Sequence, residues 1–592
     1  MLNRKEEVMK KKLVYAVLLA GLLAMMTACG KNDKEDNSNS SKKQEEEEEE
    51  EKEDEEEETE DEKEDKEDNE DKDLSKNGGT SGDAEDEKKA KGPLLSLNKI
   101  SLEQQYSEQG ADGYSNIQTK RQYFELDEES GKKYPNLANT LHELKEQAEE
   151  AEQSSMDYFI QDLKDMLAYG SPSMNLTDKS ECMILRSDNR VFSFVETNAS
   201  YYGGAHGSYY IGGQAYDVET GQMILLSDVI KDDVKMKEIV AKRLDEDYGD
   251  IFFEDVYTTI DGYTLDNFTW SLDYTGVTLY FNQYELAPYA AGTQSVVLTF
   301  AEYPELFDAK YMSAPKQYVM QLEEYAQFIM DVNGDGKEER VELGTNYEYE
   351  NDYYAPTITV DGNKMDSDSW AFYTDYYLVQ SRGKTYLYMF GHHESDYVAL
   401  TMFDFEKNEF VQGTQDDSPN VYPPEYYKGW NEEDLIYGQT TIPVFNNPDK
   451  FLLASRLDVL STYSGIKTYH VGENGLPVSE DEYYTADVSF LILAKEDVPC
   501  KLVKEDGTVI EENSVLPAGT YFKIMYATMD TALVAEAVDY VPDPEADWCF
   551  EINEDTTLKT DVLYSIQLDE NYGSTINGVD IWDMFDGLVY AG

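Results

Sequence analysis

Cysteine and histidine are both scarce. The 592 residues contain 4 Cys and 5 His. So few thiols exclude a disulfide-stapled scaffold, and the absence of any C-x-x-C pair excludes the usual multi-cysteine zinc modules. Bases are also short, with 49 Lys+Arg against 123 Asp+Glu and a formal net charge of -74. A surface this negative repels phosphate backbones, so no nucleic-acid partner is expected. No run matches HExxH, GxSxG, a Walker A loop or a Rossmann GxGxxG, so the expectation is a protein that is not an enzyme, with an enzyme of unrecognised motif as the less favoured alternative. Long apolar runs are missing too. The longest, Leu13 to Met26, is shorter than the ~20 residues that span a bilayer as a helix.

That run has a meaning of its own. It follows Arg4, Lys5, Lys10, Lys11 and Lys12, and it precedes Met26-Thr27-Ala28-Cys29-Gly30. A basic stretch, a short apolar core and small residues before a cysteine resemble a bacterial lipoprotein signal, with its lipobox. Residues 1–28 are therefore expected to be a signal peptide and Cys29 the lipidated residue. The implied location is extracytoplasmic, anchored by lipid to the membrane of a Gram-positive cell. Residues 31–93 follow with 30 acids, 12 bases and almost no apolar side chain. Such a stretch cannot bury enough surface to offset ordering entropy, so 29–93 reads as the lipidated cysteine and a disordered acidic linker. The remainder is globular in composition: hydrophobic residues make up 40% of the chain, and there are 47 Tyr.

Residues 94–312 read as α+β. Leu137, Leu141, Leu144, Ala148 and Ala151 form one apolar stripe, continued by Met156, Phe159, Leu163 and Leu167, which predicts a helix over 136–168. A second helix is expected around 234–248. Strands are expected at 183–185, 191–195, 208–212, 214–218, 276–281 and 295–300. Two runs in this region carry a resemblance. The first is Tyr201-Tyr202-Gly203-Gly204-Ala205-His206-Gly207, leading into Tyr216-Asp217-Val218-Glu219-Thr220-Gly221; the second is Phe281-Asn282-Gln283-Tyr284-Glu285-Leu286-Ala287-Pro288-Tyr289-Ala290-Ala291-Gly292. The region resembles the extracellular domain of RsiV-type anti-sigma factors, which bind lysozyme. It is also similar to the accessory domain of PdaC-type peptidoglycan deacetylases. The resemblance implies a wall-facing binding domain with lysozyme, another cationic protein or peptidoglycan as partner. Direct sigma-factor binding is not expected, because only a short basic stretch precedes the signal. No deacetylase domain is expected either, because no two histidines have the His-x-x-x-His spacing. The ligand-binding candidates are Tyr201, Tyr202, His206, Tyr209 and Tyr210. The tyrosines can stack on a sugar or a protein partner; equally, they can be alternate faces of a half-buried hairpin. His206 in its glycine-rich run reads as a residue holding a turn.

Residues 313–475 read as a β-rich domain, a sandwich or meander. Asp331-Val332-Asn333-Gly334-Asp335-Gly336-Lys337-Glu338-Glu339 has oxygen side chains at positions 1, 3 and 5 and glycine at 6, the pattern that wraps calcium. The ligand set is Asp331, Asn333, Asp335, the Lys337 carbonyl and Glu339, with Glu342 as the alternative, and the flanks read as a hairpin. A plain Asp/Asn/Gly turn is the competing reading. The expected cofactor is a structural Ca2+. Residues 476–592 read as a small β-barrel-like domain resembling bacterial SH3-like wall modules. Cys500 and Cys549 can pair there, or remain as buried thiols with Cys182. The tail Ile581-Trp582-Asp583-Met584-Phe585 is expected in the core.

Overall fold

The computed structural model describes residues 94–110, 113–348, 353–394, 397–414, 420–432, 435–542, 550–552, 556–569 and 574–590. The expected signal peptide, Cys29, the acidic linker and Cys549 lie outside the described residues. No helix among them is long and apolar enough to cross a membrane.

Two of the three longest strands among the described residues pass unnoticed in the sequence. Leu97–Gln109 and Tyr114–Leu126 are 13 residues each and rich in Gln, Glu and Ser. They pair over their whole length, Leu97 opposite Leu126 and Gln109 opposite Tyr114. Their apolar signal is thin because much of one face is wet. They form the middle of a seven-stranded sheet. Its order is Tyr426–Glu432, Leu435–Pro443, Leu97–Gln109, Tyr114–Leu126, Asn175–Ser187, Val191–Tyr201, Ser208–Asp217. The expected strands 208–212 and 214–218 are one strand. All neighbours are antiparallel except Tyr114–Leu126 with Asn175–Ser187, which run parallel. Parallel neighbours need a crossover, and the helix Pro135–Ala168 supplies it.

That helix begins with Pro at its first turn, where a missing N–H costs nothing. Leu137 and Leu141 pack on Phe124, Phe192 and Phe194. Met156, Phe159 and Leu163 pack on Tyr106, Ile117 and Leu176. The expected stripe is corrected at one position: Ala151 is exposed, and Glu152 is buried in its place. The 3.6-residue period carries Ala148 to Glu152 and then to Met156, while Ala151 rotates toward water.

The helix Asp233–Tyr248 covers one face of a three-stranded sheet, Thr269–Leu272, Gly276–Phe281 and Gln294–Thr299. Met236, Val240 and Leu244 meet Leu279, Val296 and Leu298 there. This sheet sits close to the first one. A Cβ on Gly213 would lie 2.1 Å from the Trp270 carbonyl oxygen, so only glycine fits.

The expected β-rich second region is a sandwich. The four-stranded sheet Gln327–Met330, Glu339–Glu348, Tyr353–Val360, Asn363–Asp366 faces a five-stranded one that runs from Glu409–Gln412 to Tyr318–Leu322. Phe328, Val341 and Ile358 interleave with Met320, Leu378 and Met389 between them. Arg186 anchors the segment that leads from the first region into this sandwich. It is buried, pairs with Asp188 at 2.7 Å and donates to the carbonyls of Tyr311 and Ser313 at 2.7 and 2.8 Å.

The C-terminal expectation is corrected. Strands from Phe451–Asp458 to Phe585–Asp586 build one twelve-stranded sheet with side branches, and it does not close into a barrel. Strands such as Val498–Val503 and Tyr521–Ala527 pair across bulges, which bend the sheet without closing it. Strand pairing also runs across the expected divisions: Leu435–Pro443 joins the first sheet, and Phe451–Asp458 joins the last. In the tail, Ile581, Met584 and Phe585 are buried, while Trp582 is exposed.

Candidate functional site

The two runs that carry the resemblance meet in space. The loop after Tyr201 turns through Gly203 and Gly204, both at positive φ, and brings His206 against the 282–292 segment. Asn282 makes the junction. It is buried; its Oδ1 accepts from the Ile211 N–H at 2.9 Å, and its Nδ2 donates to the Ile211 carbonyl at 3.0 Å. The side-chain amide thus satisfies both main-chain groups of an edge-strand residue. Gln283 adds a bond from the Tyr209 N–H. Glu285 holds its own loop, accepting from the Asn282 N–H at 2.9 Å and the Tyr263 hydroxyl at 3.1 Å. Burial raises the pKa of its carboxyl.

An aromatic surface results. The His206 ring stacks on Tyr289 at 4.1 Å, and Tyr289 lies 5.8 Å from Tyr284. Tyr284 has φ 67°, which is uncommon for a bulky residue, and it is 56% exposed. Tyr209 and Tyr210 are exposed on the edge strand nearby. The other two candidates serve the frame. The Tyr201 hydroxyl donates to the Gly204 carbonyl at 2.9 Å. Tyr202 stacks on Phe159 at 5.0 Å and packs against the long helix. Tyr284 and Tyr289 were not singled out from the sequence, although both lie in the quoted 281–292 run. What the sequence could not supply was which loop that run would touch.

His206 Nδ1 lies 2.9 Å from the Gly207 carbonyl oxygen and is the donor there. Among the described residues it makes no hydrogen bond to a carboxylate or hydroxyl. A base without an orienting acid or an adjacent nucleophile does not form a catalytic unit. The surface can stack against flat or ring-shaped groups, and a neutral His206 leaves Nε2 as an acceptor.

A second cluster lies in the 331–339 loop. Carboxylate oxygens of Asp331, Asp335 and Glu339 all fall within 4.8 Å of one another. The loop joins Gln327–Met330 to Glu339–Glu348, a hairpin with Met330 opposite Glu339. Gly334 and Gly336 have φ 77° and 85°. The Asp331 carboxylate collects the N–H groups of Gly334, Asp335 and Gly336 at 2.8–3.1 Å. Asn333 accepts from the Asp335 N–H, and Asp335 from the Lys337 N–H. Glu339 is buried beside Val341 and accepts from the Val332 N–H at 3.1 Å. Glu342 points to the other strand face and pairs with Arg340 at 3.0 Å. The geometry thus groups Glu339, not Glu342, with the aspartates.

The remaining polar motifs are quiet. His392 bonds Asp375 at 2.9 Å and stacks on Tyr373 at 4.1 Å. Cys182 and Cys500 are buried, and burial raises both thiol pKa values, that of Cys500 to about 11.

Residues 224–301 match a family described as a protein of unknown function, DUF3298. The match includes the 281–292 run and excludes the 203–207 glycines. No curated protein matches the chain. Two solved structures are similar in part. A member of the DUF3298 family from Bacteroides fragilis NCTC 9343 has 15% identity and a TM-score of 0.27, over 36% of this chain and 94% of that one. A DUF3298 family protein from Pseudomonas aeruginosa PAO1 has 15% identity and a TM-score of 0.26, over 38% of this chain and 99% of that one.

Proposed function

We propose that the protein is a cell-surface lipoprotein that captures a basic, wall-associated protein, with lysozyme as the first candidate. One observation carries this reading: Asn282 joins the two quoted runs so that His206, Tyr289 and Tyr284 present one aromatic surface, beside an edge strand on which Tyr209 and Tyr210 are exposed on opposite faces. Aromatic side chains give large contact area at low entropic cost and dominate protein interfaces. The excess of 123 acids over 49 bases supports a cationic partner and speeds its encounter. In this reading Cys29 carries the lipid and the acidic 30–93 segment spaces the globular part from the membrane. The surface works by binding, not by turnover.

A second reading rests on the same side chains. Exposed tyrosines stack on sugar rings as well as on proteins, so peptidoglycan is the alternative ligand and the chain a wall scaffold. Calorimetry against lysozyme and against soluble peptidoglycan fragments separates the two. Salt-weakened, saturable lysozyme binding favours the first. Salt-insensitive glycan binding without lysozyme binding favours the second and overturns the first.

The 331–339 loop is proposed to hold a structural Ca2+ through Asp331, Asn333, Asp335, the Lys337 carbonyl and Glu339. Hard oxygen donors at these spacings suit Ca2+ better than zinc. Calcium titration monitored by thermal unfolding tests this assignment.

A further inference from the structure

Three sheet edges border one cavity of about 510 Å3. Gln294–Thr299 ends the three-stranded sheet, Tyr318–Leu322 the five-stranded one and Gln327–Met330 the four-stranded one. The floor is the polar face of the three-stranded sheet, with Thr278, Tyr280, Ser295 and Thr299, whose alternate residues face the helix. A second cavity of about 410 Å3 shares Gln321 and Glu323 with the first.

Edge strands expose main-chain N–H and C=O groups at every second residue. The register shows which ones. Leu343 donates to the Ala326 carbonyl, so 326, 328 and 330 turn toward their partner strand, and Gln327 and Ile329 turn outward. On Gln294–Thr299 the outward residues are Ser295, Val297 and Thr299. The Tyr248 hydroxyl takes Ser295, and Tyr303 takes the Thr299 carbonyl. On Tyr318–Leu322 the Val319 N–H goes to the Asn446 carbonyl, which leaves Gln321. Among the described residues, the outward main-chain groups of Gln327, Ile329, Val297 and Gln321 have no partner.

The charge in the cavity is unbalanced. Arg243 is held by Glu302 at 2.9 Å and Arg340 by Glu342 at 3.0 Å. Among the described residues, the carboxylates of Glu323 and Asp247 have neither a hydrogen bond nor an ion pair. Glu323 is open to water at the cavity mouth, yet protein surrounds it closely enough that desolvation alone raises its pKa. A carboxylate in that position gains most from an arriving cation.

We propose that this cavity binds an extended basic peptide segment, added as a strand on the Gln327–Met330 edge with a lysine or arginine on Glu323. The free groups repeat at the two-residue spacing of a strand, which suits a peptide backbone better than a sugar ring. The edge is four residues long, so a short segment suffices. The proposal shares with the preceding functional reading only the sign of the ligand's charge; His206 and Tyr289 line neither cavity.

The test uses the full chain and a fluorescent hexapeptide of alternating lysine and valine, read by anisotropy. Saturable binding is expected. It should weaken about tenfold in Glu323→Gln, the loss of roughly one charged contact, and vanish when alternate peptide amides are N-methylated. The glutamate–valine hexapeptide should not bind. Equal affinity for the N-methylated peptide, an unchanged Glu323→Gln, or binding of chito-oligosaccharide without the peptide overturns the proposal. Lysozyme titrated in parallel separates the two claims. Peptide binding without lysozyme binding sinks only the lysozyme reading; lysozyme binding without peptide binding sinks only this site.

Discussion

Glu152 is a carboxyl placed where the helix period demands an apolar residue. One oxygen accepts from the Thr119 hydroxyl, the other lies 3.9 Å from Arg121, and desolvation pushes its pKa up from 4.5 to about 7. Between those two values the folded chain binds a proton that the unfolded chain releases, so stability falls as pH rises from ~4.5 to ~7. The loss is on the order of 3 kcal/mol at 1.36 kcal/mol per pKa unit. Glu152→Gln keeps the hydroxyl bond and removes the titration. Urea unfolding at pH 5 and pH 8 should show a smaller difference for the variant, with the variant more stable at pH 8; an unchanged difference contradicts the assignment. Nothing in the sequence around Glu152 announces this, because a helix rich in Glu offers several positions that look alike. The spacing of Leu137, Leu141, Met156, Phe159 and Leu163 was legible because it is periodic.

Elements were legible where apolar residues alternate or recur, and illegible where the chain relies on distant partners. Gly276–Phe281 and the helix Asp233–Tyr248 stand close to their sequence readings. Leu97–Gln109 does not, because its apolar residues are few and one of its pairing partners, Leu435–Pro443, lies hundreds of residues away. The candidate site follows the same rule. The loop 331–339 is local and could be read as a hairpin turn, and its fold groups Glu339, rather than Glu342, with the aspartates. The aromatic surface depends on Asn282 reaching Ile211, 71 residues away in sequence. Asn282→Ala leaves a buried N–H and C=O unpaired, at a cost of about 2 kcal/mol. It should also loosen the 282–292 segment, seen as faster amide exchange at Tyr284 and Tyr289; unchanged exchange would mean that other contacts hold the loops together. For the hairpin, saturating Ca2+ should raise thermal stability by about 2.7 kcal/mol at a hundredfold excess over Kd. EDTA should reverse this and Asp335→Ala abolish it. Identical melting with calcium and with EDTA would reduce the loop to an Asx-rich turn.

At the scale of the whole molecule, the formal charge of -74 and the folded surfaces act together. Long-range attraction brings any basic protein near, and it fades as salt screens it. Specific capture needs a contact that survives screening, which the stacked His206–Tyr289 pair and the exposed tyrosines are proposed to supply. Charge was legible from composition alone. The convergence of three sheet edges on one cavity was not, because no local pattern encodes which edges meet. The most direct measurement is calorimetry of the chain with hen lysozyme at low and moderate salt, beside a second basic protein and the Tyr209→Ala/Tyr289→Ala variant. The account predicts saturable, stoichiometric lysozyme binding that weakens but persists at moderate salt, is stronger than for the other basic protein, and falls in the variant. Binding that vanishes with salt, or is equal for both basic proteins and unchanged in the variant, would contradict it.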